Sequence, residues 1–319
     1  MRPAAQTALT ALGAVGAVGV AAGVWGVGIE RYLFTLRRHD LHVLPPGSPS
    51  VTVLHLSDAH MAPWQHRKQR WIAEIADTVQ PDLVINTGDN LGHQDGLGGI
   101  RAAFAPLRGV PGFFVHGSND KIAPSARNPF KYFEGPSTHV EFTPSLDTDA
   151  LDDFLTGLGE TLIDNTAASI RVGGVRIDAL GVDDAHRELD DLDAASAAFR
   201  ALGDDASVRL GVTHAPYQRV LNAFTDAGAD LILAGHTHGG QVRIPFAKKA
   251  LVSNCDIPLD QARGLTRWSH DGRTVPLNVS AGLGHSIYAP VRFGCRPEAS
   301  VLVLRARRAD DSPEGRSAG

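Results

Sequence analysis

Cysteine is scarce in this sequence, where only two of 319 residues carry a thiol. Two cysteines cannot build a disulfide-rich scaffold or a four-cysteine zinc module. A surplus of positive charge is also missing, since 30 Lys and Arg face 35 Asp and Glu. This balance argues against a protein that binds nucleic acid by neutralising phosphates, and we expect no nucleic-acid partner. The 43% hydrophobic content excludes a disordered chain and leaves a folded protein with a sizeable core.

Histidine, by contrast, is abundant, with 14 residues. A chain rich in histidine and poor in cysteine suits divalent metal ions that are held by nitrogen and oxygen ligands. Mn, Fe and Zn are the leading candidates, and the sequence leaves the choice among them open.

Charged residues are absent between Pro3 and Ile29. A helix needs about 20 apolar residues to cross the hydrocarbon core of a bilayer, whereas the apolar region of a cleaved signal peptide has only about 7–15. The length of this run, and the lack of a clear small-residue cleavage site before Glu30, favour an uncleaved anchor. We therefore expect residues 1–30 to anchor the chain in the cell membrane by a single pass.

The sequence leaves open which side of the membrane the rest of the chain occupies. Arg31, Arg37 and Arg38 follow the apolar run, and by the positive-inside rule they favour a cytoplasmic body. A disulfide between Cys255 and Cys295 would instead require an oxidising compartment, and two unpaired thiols are an equally good interpretation.

Three further segments follow the anchor. Residues 31–49 contain a Pro-Pro-Gly sequence that cannot continue a helix, which predicts a juxtamembrane linker. Residues 50–306 alternate short apolar, β-branched runs with amphipathic helical patterns, which predicts one α/β domain with a largely parallel sheet. Residues 307–319 are charged and rich in small residues, which predicts a disordered tail.

Side chains that can bind metal ions follow five of the predicted strands. These residues are Asp58 with His60, Asp89, Asn119, His214, and His236 with His238. Ligands bind outside the carboxyl ends of the strands in open α/β sheets, so we expect these side chains to meet in one site. A single aspartate at a strand end is more often a helix cap, but caps do not explain five such positions in series.

These residues belong to short blocks with a recognisable order. The blocks are Asp58-Ala59-His60, Gly88-Asp89-Asn90, Gly117-Ser118-Asn119-Asp120, Thr213-His214 and Gly235-His236-Thr237-His238-Gly239-Gly240-Gln241. Together they resemble the signature of calcineurin-like metallophosphoesterases, and the last block resembles the form found in a membrane-associated bacterial branch of that family. The resemblance spans about Val51 to Leu304. It implies an α/β fold, a four-layer α/β/β/α sandwich with two mixed sheets, here preceded by one N-terminal transmembrane helix.

The resemblance also implies a centre of two divalent metal ions. Seven side chains would hold them. The first ion would be held by Asp58, His60 and His238, and the second by Asn119, His214 and His236. Asp89 would contact both ions. Two ions about 3.5–4 Å apart lower the pKa of a shared water and clamp both oxygens of a phosphoryl displacement. A metal-bridging hydroxide is then the expected nucleophile.

The sequence departs from the family pattern at Asp120, because the family commonly has histidine after the asparagine of this block. A carboxylate beside two cations stays ionised and is a poor general acid. We expect the leaving group to be protonated weakly, or by another residue such as His93, His116 or His285. Asp120, Asn119 and His93 are the candidate catalytic residues.

The predicted function is hydrolysis of a phosphomonoester, phosphodiester or pyrophosphate bond in a small-molecule or lipid-linked substrate at the membrane or envelope. The alternative is a membrane-tethered metal-binding scaffold with little or no hydrolytic activity. A zinc hydrolase of the metallo-β-lactamase type is disfavoured, since Gly240 and Gln241 stand where its motif requires Asp and His. The sequence leaves the oligomeric state open.

Residues outside the metal blocks give weaker indications. The candidate substrate-binding residues are Asn90, Gln241 and Arg292, the last because a guanidinium pairs well with phosphate. The aromatic stretch from Pro124 to Phe142 is either a wall of the substrate site or a packed loop. Asp183, Asp184 and His186 follow a strand and either line the site or, as the preferred interpretation, form a solvated acidic turn.

Overall fold

The computed structural model describes residues 3–124, 145–247 and 249–307. The N-terminal helix α1 (Pro3–Val24) continues through a π-helical turn at Trp25–Ile29 and a 3-10 turn at Glu30–Tyr32. Over Leu12–Tyr32 this segment is long and apolar enough to cross a membrane, and few of its residues are buried by the rest of the protein. The structure thus contains the apolar helix expected from the sequence.

The first of two sheets is six-stranded and mixed. Its spatial order is β1 (Thr35–Leu44), β12 (Glu298–Ala306), β2 (Val51–Leu56), β3 (Leu83–Asn86), β4 (Gly112–Phe114) and β5 (Glu160–Leu162). The strands from β2 to β5 run parallel, whereas β12 is parallel to β1 and antiparallel to β2. The parallel group brings the carboxyl ends of β2, β3 and β4 to one edge of the sheet.

The second sheet is also six-stranded and mixed. Its spatial order is β10 (Gly264–His270), β11 (Arg273–Val279), β9 (Leu231–Ala234), β8 (Val208–Val212), β7 (Val175–Gly181) and β6 (Thr166–Val172). The predicted hairpin joins β6 to β7, and its turn residues Gly173 and Gly174 have φ values of 52° and 86°. Both angles are positive, as the two-residue turns that match strand twist require.

Six helices complete the described part of the domain. They are α2 (His66–Val79), α3 (Leu97–Phe104), α4 (Ser118–Lys121), α5 (Thr148–Leu158), α6 (Leu192–Ala201) and α7 (Gln218–Asp226). Helices α2, α3 and α5 pack on the outer face of the first sheet, and α6 and α7 pack on the second. Alternate strand residues such as Val53, Ile85 and Phe113 point inward and form the core between the sheets. The result is the predicted four-layer sandwich.

The expectation of a linker over residues 31–49 was wrong for Thr35–Leu44. This segment is β1, which pairs in register with β12 along almost its whole length. Its charged residues hid the strand pattern, because β1 lies at the edge of the sheet and much of it stays exposed. Arg37 contacts the buried carboxylate of Glu298 at 2.9 Å, which fixes the strand to the domain. The predicted tail stays a prediction, since residues 308–319 lie outside the described part of the chain.

Candidate metal centre

Five strands from both sheets end around one cluster of polar side chains. Asp58 and His60 follow β2, Asp89 follows β3, Asn119 lies in α4 after β4, His214 follows β8, and His236 and His238 follow β9. The two aspartates and four histidines of this cluster are all buried, and Asn119 is half-buried. The carboxyl ends of parallel strands bring them together, as the sequence pattern predicted.

The ring nitrogens and carboxylate oxygens of the cluster face one another. The Nε2 atoms of His60 and His238 lie 3.1 Å apart, and Nδ1 of His236 lies 3.2 Å from Nε2 of His214. Asp89 Oδ2 is 3.4 Å from His60 Nε2 and 3.5 Å from His214 Nε2. Asp89 thus stands between the two halves of the cluster.

Neighbouring groups hold several of these side chains in orientation. His214 Nδ1 contacts the carbonyl of Thr87 at 2.7 Å, which turns Nε2 towards Asp89. Such a carbonyl fixes the tautomer of a metal-binding histidine and leaves the other ring nitrogen free to bind the ion. The amide of Asn119 donates to Asp89 Oδ2 at 2.8 Å, and the backbone N–H of His236 donates to Asp58 at 3.1 Å.

The backbone around the cluster has an unusual conformation. Asp58, His60, Asp89, His236 and His238 all have φ values between 40° and 67°. Residues other than glycine rarely adopt this left-handed conformation, and such strain is concentrated at functional sites. The fold therefore holds these five side chains in place at a local cost in backbone energy.

Two glycines allow the strand ends to approach closely. A Cβ at Gly235 would lie 1.9 Å from Ser57 Oγ, and a Cβ at Gly117 would lie 2.3 Å from Asp89 Oδ1. No side chain fits at either position without moving the cluster. Close packing thus explains why these two positions of the sequence blocks are glycine, since the loops that carry the cluster residues touch each other here.

The electrostatics of the cluster favour a bound cation. Burial raises the pKa of Asp58 to about 6 and lowers the pKa of His60 to about 4. Burial also raises the pKa of Asp89, but His214 outweighs this effect and holds it well below its usual range. Burial lowers the pKa of His214, yet Asp89 outweighs it and raises that pKa well above normal. A positive charge beside Asp89 is therefore strongly stabilised.

The donor set fits divalent metal ions. The potential ligand atoms of Asp58, His60 and His238 all lie within 4.8 Å of one another, and so do those of Asp58, Asp89 and His214. Nδ1 of His60 and Nε2 of His236 are buried and have no hydrogen-bond partner among the described residues. Mixed carboxylate and imidazole donors suit ions such as Mn, Fe or Zn. A further group of Asp226, His270 and Asp271 lies largely at the surface.

Asp120 lies beside the cluster with its carboxylate turned towards backbone N–H groups. Its carboxylate is fully buried and accepts backbone N–H bonds from Asp89 at 2.7 Å, Asn90 at 2.7 Å and Gly117 at 3.0 Å. Both oxygens are thus used to join the loops after β3 and β4. Burial raises the pKa of Asp120. This effect opposes the full ionisation that we expected nearby cations to produce. The residue is placed to organise the site, and its expected role as a catalytic group has no geometric support.

Arg292 is also differently placed from the expectation. Its side chain is fully buried, and it donates to the carbonyl oxygens of His238 at 2.9 Å and Ala281 at 2.7 Å. Its Nη2 lies 3.1 Å from Nδ1 of His238. The guanidinium therefore has no exposed edge for a substrate phosphate, and its contacts instead hold His238 in position.

The other candidate substrate residues are close to the cluster in sequence but buried. Gln241 donates to the carbonyl of Ala289 at 2.7 Å. Asn90 accepts from Asn86 at 3.0 Å, while its own Nδ2 has no partner among the residues described. The stretch 125–144, which contains most of the expected aromatic wall, lies outside the described residues.

The three histidines considered as acids differ in their surroundings. His93 stacks edge-on against Trp64 at 5.2 Å and approaches Asp95 at 3.5 Å. Burial lowers the pKa of His285 to about 3, so it is a poor proton donor. Burial also lowers the pKa of His116, but the hydrogen bonds that its ring donates to Asp152 at 2.7 Å and Asp164 at 2.6 Å outweigh burial and raise that pKa to about 10. Both ring nitrogens of His116 are thereby occupied.

Several residues near the site were missed by sequence reasoning. Asp184 is fully buried and accepts a hydrogen bond from Ser118, so the expectation of a solvated turn was wrong for it. The ring of His186 lies 4.6 Å from that of His236. Lys68 is buried and donates to the carbonyl of Ala59, and burial, Arg292 and Arg31 lower its pKa to about 7. Its position in a helical repeat gave no signal, because the partner that ties it to the site is only a backbone carbonyl, that of Ala59 in the loop after β2.

The two cysteines are free thiols, and both are buried. Cys295 Sγ lies 3.3 Å from the carbonyl of His238, which places it beneath the loop of His236 and His238. The disulfide that the sequence left open is absent between Cys255 and Cys295 in this structure.

Comparison with known proteins gives a consistent picture. A family model described as calcineurin-like phosphoesterase matches residues 51–240. The uncharacterized protein YpbG of Bacillus subtilis is 25% identical over 81% of this chain and 82% of its own length. Phosphodiesterase YaeI of Escherichia coli is 24% identical over 85% of this chain and 88% of its own length. A Bos taurus transmembrane protein with metallophosphoesterase domain is 26% identical over 83% of this chain, which spans only 55% of the bovine protein. Since the family model covers more than half of the sequence, this chain belongs to the calcineurin-like phosphoesterase family.

Proposed function

We propose that the protein is a membrane-anchored hydrolase of phosphoester bonds that depends on two divalent metal ions. The observation that carries this proposal is the convergence of two carboxylates and four imidazoles from four strand ends, with the amide of Asn119 from a fifth, into one cluster. Membership of the family supports phosphoester hydrolysis as the reaction class. The anchor and the Gly235–Gln241 block support a place in the membrane-associated bacterial branch.

The proposed ligand assignment divides the cluster into two sets. Asp58, His60 and His238 would hold one ion, Asn119, His214 and His236 would hold the other, and Asp89 would contact both. The central position of Asp89, 3.4 Å from His60 and 3.5 Å from His214, supports its bridging role. The orientation of His214 by Thr87 supports Nε2 as its ligand atom.

The chemistry of the site follows from these residues. Two bound ions would lower the pKa of water at the site and balance the charge of a phosphoryl group. The protein side chains fix the positions of the ions, and Asp120 fixes the loops that carry Asp89 and Asn119. The carboxylate of Asp120 faces backbone N–H groups, so it is not placed to protonate a leaving group. We expect substrates whose leaving group is stable as an anion, such as activated esters and pyrophosphates, to react fastest.

The N-terminal helix is proposed to stay attached as an anchor. The carbonyl of Gly26 accepts from the backbone N–H of Arg292 at 3.1 Å. The carboxylate of Glu30 accepts from the backbone N–H groups of Gly294 and Cys295 at 3.0 and 2.9 Å. A signal peptide is removed from the mature protein, whereas these residues are built into it. The contacts thus support an anchor, and a substrate held at the membrane or envelope, either a small molecule or a lipid-linked one.

The test is to measure metal content and turnover on the same preparation. The full chain is purified in detergent, loaded with Mn, Fe or Zn, and assayed on nitrophenyl phosphomonoesters and phosphodiesters and on a nucleotide pyrophosphate. We expect two ions per chain and measurable hydrolysis. His236→Ala should lose one ion and most of the activity, while His270→Ala, a surface control, should retain both. Two bound ions without turnover on any ester would favour the scaffold alternative, and failure to bind metal would refute both functions.

A further inference from the structure

A cavity of about 490 Å³ lies where the membrane segment joins the domain. Its walls include residues just after the apolar helix and residues at the start of α2. The lining residues that matter here are Arg31, Tyr32, Phe34, Trp64, Arg67 and Lys68. The volume is in the usual range for a small-molecule or headgroup site, about 300–1,000 Å³.

The cavity is strongly positive. Two arginines line it, together with Lys68, whose lowered pKa of about 7 rises again when an anion lies beside it, and none of its lining residues is an aspartate or glutamate. The guanidinium carbons of Arg31 and Arg67 lie 4.5 and 5.1 Å from the centre of the same Tyr32 ring. Lys68 is only 4% exposed, and its ammonium donates to neutral acceptors, namely Gln65 at 2.8 Å and the carbonyl of Ala59.

The neighbouring carboxylate does not neutralise these charges. Glu30 accepts from two backbone N–H groups of the loop after Arg292 and from Trp25 Nε1 at 2.6 Å. In the part of the chain that the structure describes, none of the three cations is within 4.0 Å of a carboxylate oxygen. Like charges gathered at a partly buried site repel one another, and a bound anion relieves that repulsion.

The position of the cavity indicates where the anion comes from. Arg31 and Tyr32 end the segment Leu12–Tyr32, so with this segment as the proposed anchor the cavity lies at the level where a bilayer meets water. Trp64 lines it with 59% of its surface exposed, next to the aromatic pair of Phe34 and Trp71, whose rings are 5.3 Å apart. Tryptophan and tyrosine are enriched at this depth because they contact both headgroups and acyl chains.

We propose that this cavity binds the anionic phosphate headgroup of a membrane lipid. Arg31, Arg67 and Lys68 surround the phosphate, and the exposed ring of Trp64 contacts the glycerol region. Free phosphate has the same charged group but lacks the apolar part that the aromatic residues would contact. The proposal rests on the proposed anchor and does not require hydrolysis at the metal centre, which the cavity adjoins through the bond of Lys68 to the carbonyl of Ala59.

The experiment is native mass spectrometry of the full chain released from detergent micelles. The protein is titrated separately with phosphatidylglycerol, with zwitterionic phosphatidylcholine, and with inorganic phosphate. We expect phosphatidylglycerol to bind at least about tenfold more tightly than phosphatidylcholine, and Arg31→Gln with Arg67→Gln to weaken it by about tenfold or more. The matched control is Arg38→Gln with Arg70→Gln, which removes the same charge from exposed residues outside the cavity.

Three results would overturn the proposal. Equal affinity for the two lipids would remove the role of the anionic headgroup. An unchanged affinity in the cavity variant, or an equal loss in the control variant, would place the binding elsewhere. Inorganic phosphate that competes at the same concentration as the lipid would make free phosphate the ligand. If the double variant does not fold, Arg67→Gln alone tests the same contact at an exposed side chain. His236→Ala should still bind phosphatidylglycerol, so a failure of the catalytic proposal is distinguishable from a failure of this one.

Discussion

The substitution Asp120→Asn is expected to destabilise the fold rather than to remove a proton donor. The carboxylate accepts three backbone N–H bonds at 2.7, 2.7 and 3.0 Å and is fully buried. Asparagine keeps one acceptor oxygen, so its NH₂ group must face at least one of these N–H donors. A lost charge-assisted bond together with an unpaired buried donor costs about 2–4 kcal/mol. This corresponds to a fall of roughly 5–15 °C in the thermal midpoint of a domain of this size.

The assay for Asp120→Asn combines three measurements on the full chain in detergent. Thermal unfolding is followed by circular dichroism, metal content by elemental analysis, and turnover with a nitrophenyl phosphodiester well below the midpoint. Asp153→Asn, an exposed carboxylate in α5, is the control and should leave all three unchanged. An Asp120 variant with an unchanged midpoint and both metals bound, but without turnover, would refute the structural role and assign Asp120 directly to the chemistry.

Three further predictions concern Phe113, His116 and Glu30. Phe113→Ala, in the core between the sheets, should lower the free energy of unfolding by about 3–5 kcal/mol. Phe246→Ala, at the exposed surface, should lower it little, and denaturant unfolding of both variants measures the difference. His116 has its pKa raised from 6.5 to about 10, so its stabilisation is fully present below pH 6.5 and disappears as the pH rises through 10. The difference in thermal midpoint between wild type and His116→Gln should therefore shrink over this range, and a constant difference would contradict the assignment. Glu30→Gln should reduce the free energy of unfolding by about 1–3 kcal/mol and so lower the thermal midpoint. It should also expose the loop after Arg292 to protease.

The sequence predicted which polar side chains meet in the cluster because each of them follows a short apolar strand. Runs such as Leu83–Asn86 and Leu231–Ala234 are fully buried, so the first polar residues after them are easy to identify. Parallel pairing then requires that their ends meet. The two-residue hairpin at Gly173 and Gly174 was equally readable, because its turn type depends on local conformation alone.

The roles of Asp120 and Arg292 were not predictable in the same way. Two of the three backbone partners of Asp120 are about 30 residues earlier in the chain, and the carbonyl partners of Arg292 lie in two loops, after β9 and after β11. Such partners leave no pattern in the sequence, since any residue provides a backbone N–H or carbonyl. The edge strand β1 was missed for a related reason, because its exposed side tolerates the charged residues of a linker.

The position of β1 also determines how a soluble form of this protein can be made. β1 covers one hydrogen-bonding edge of β12, a strand that contains the apolar run Val301–Leu304. A version that begins at residue 50 would leave this edge open, and exposed apolar strand edges recruit other chains into aggregates. A version that begins at Glu30 omits the apolar helix but keeps both the covering strand and the carboxylate that binds the loop after Arg292. Solubility is therefore expected to improve when about twenty more residues are retained.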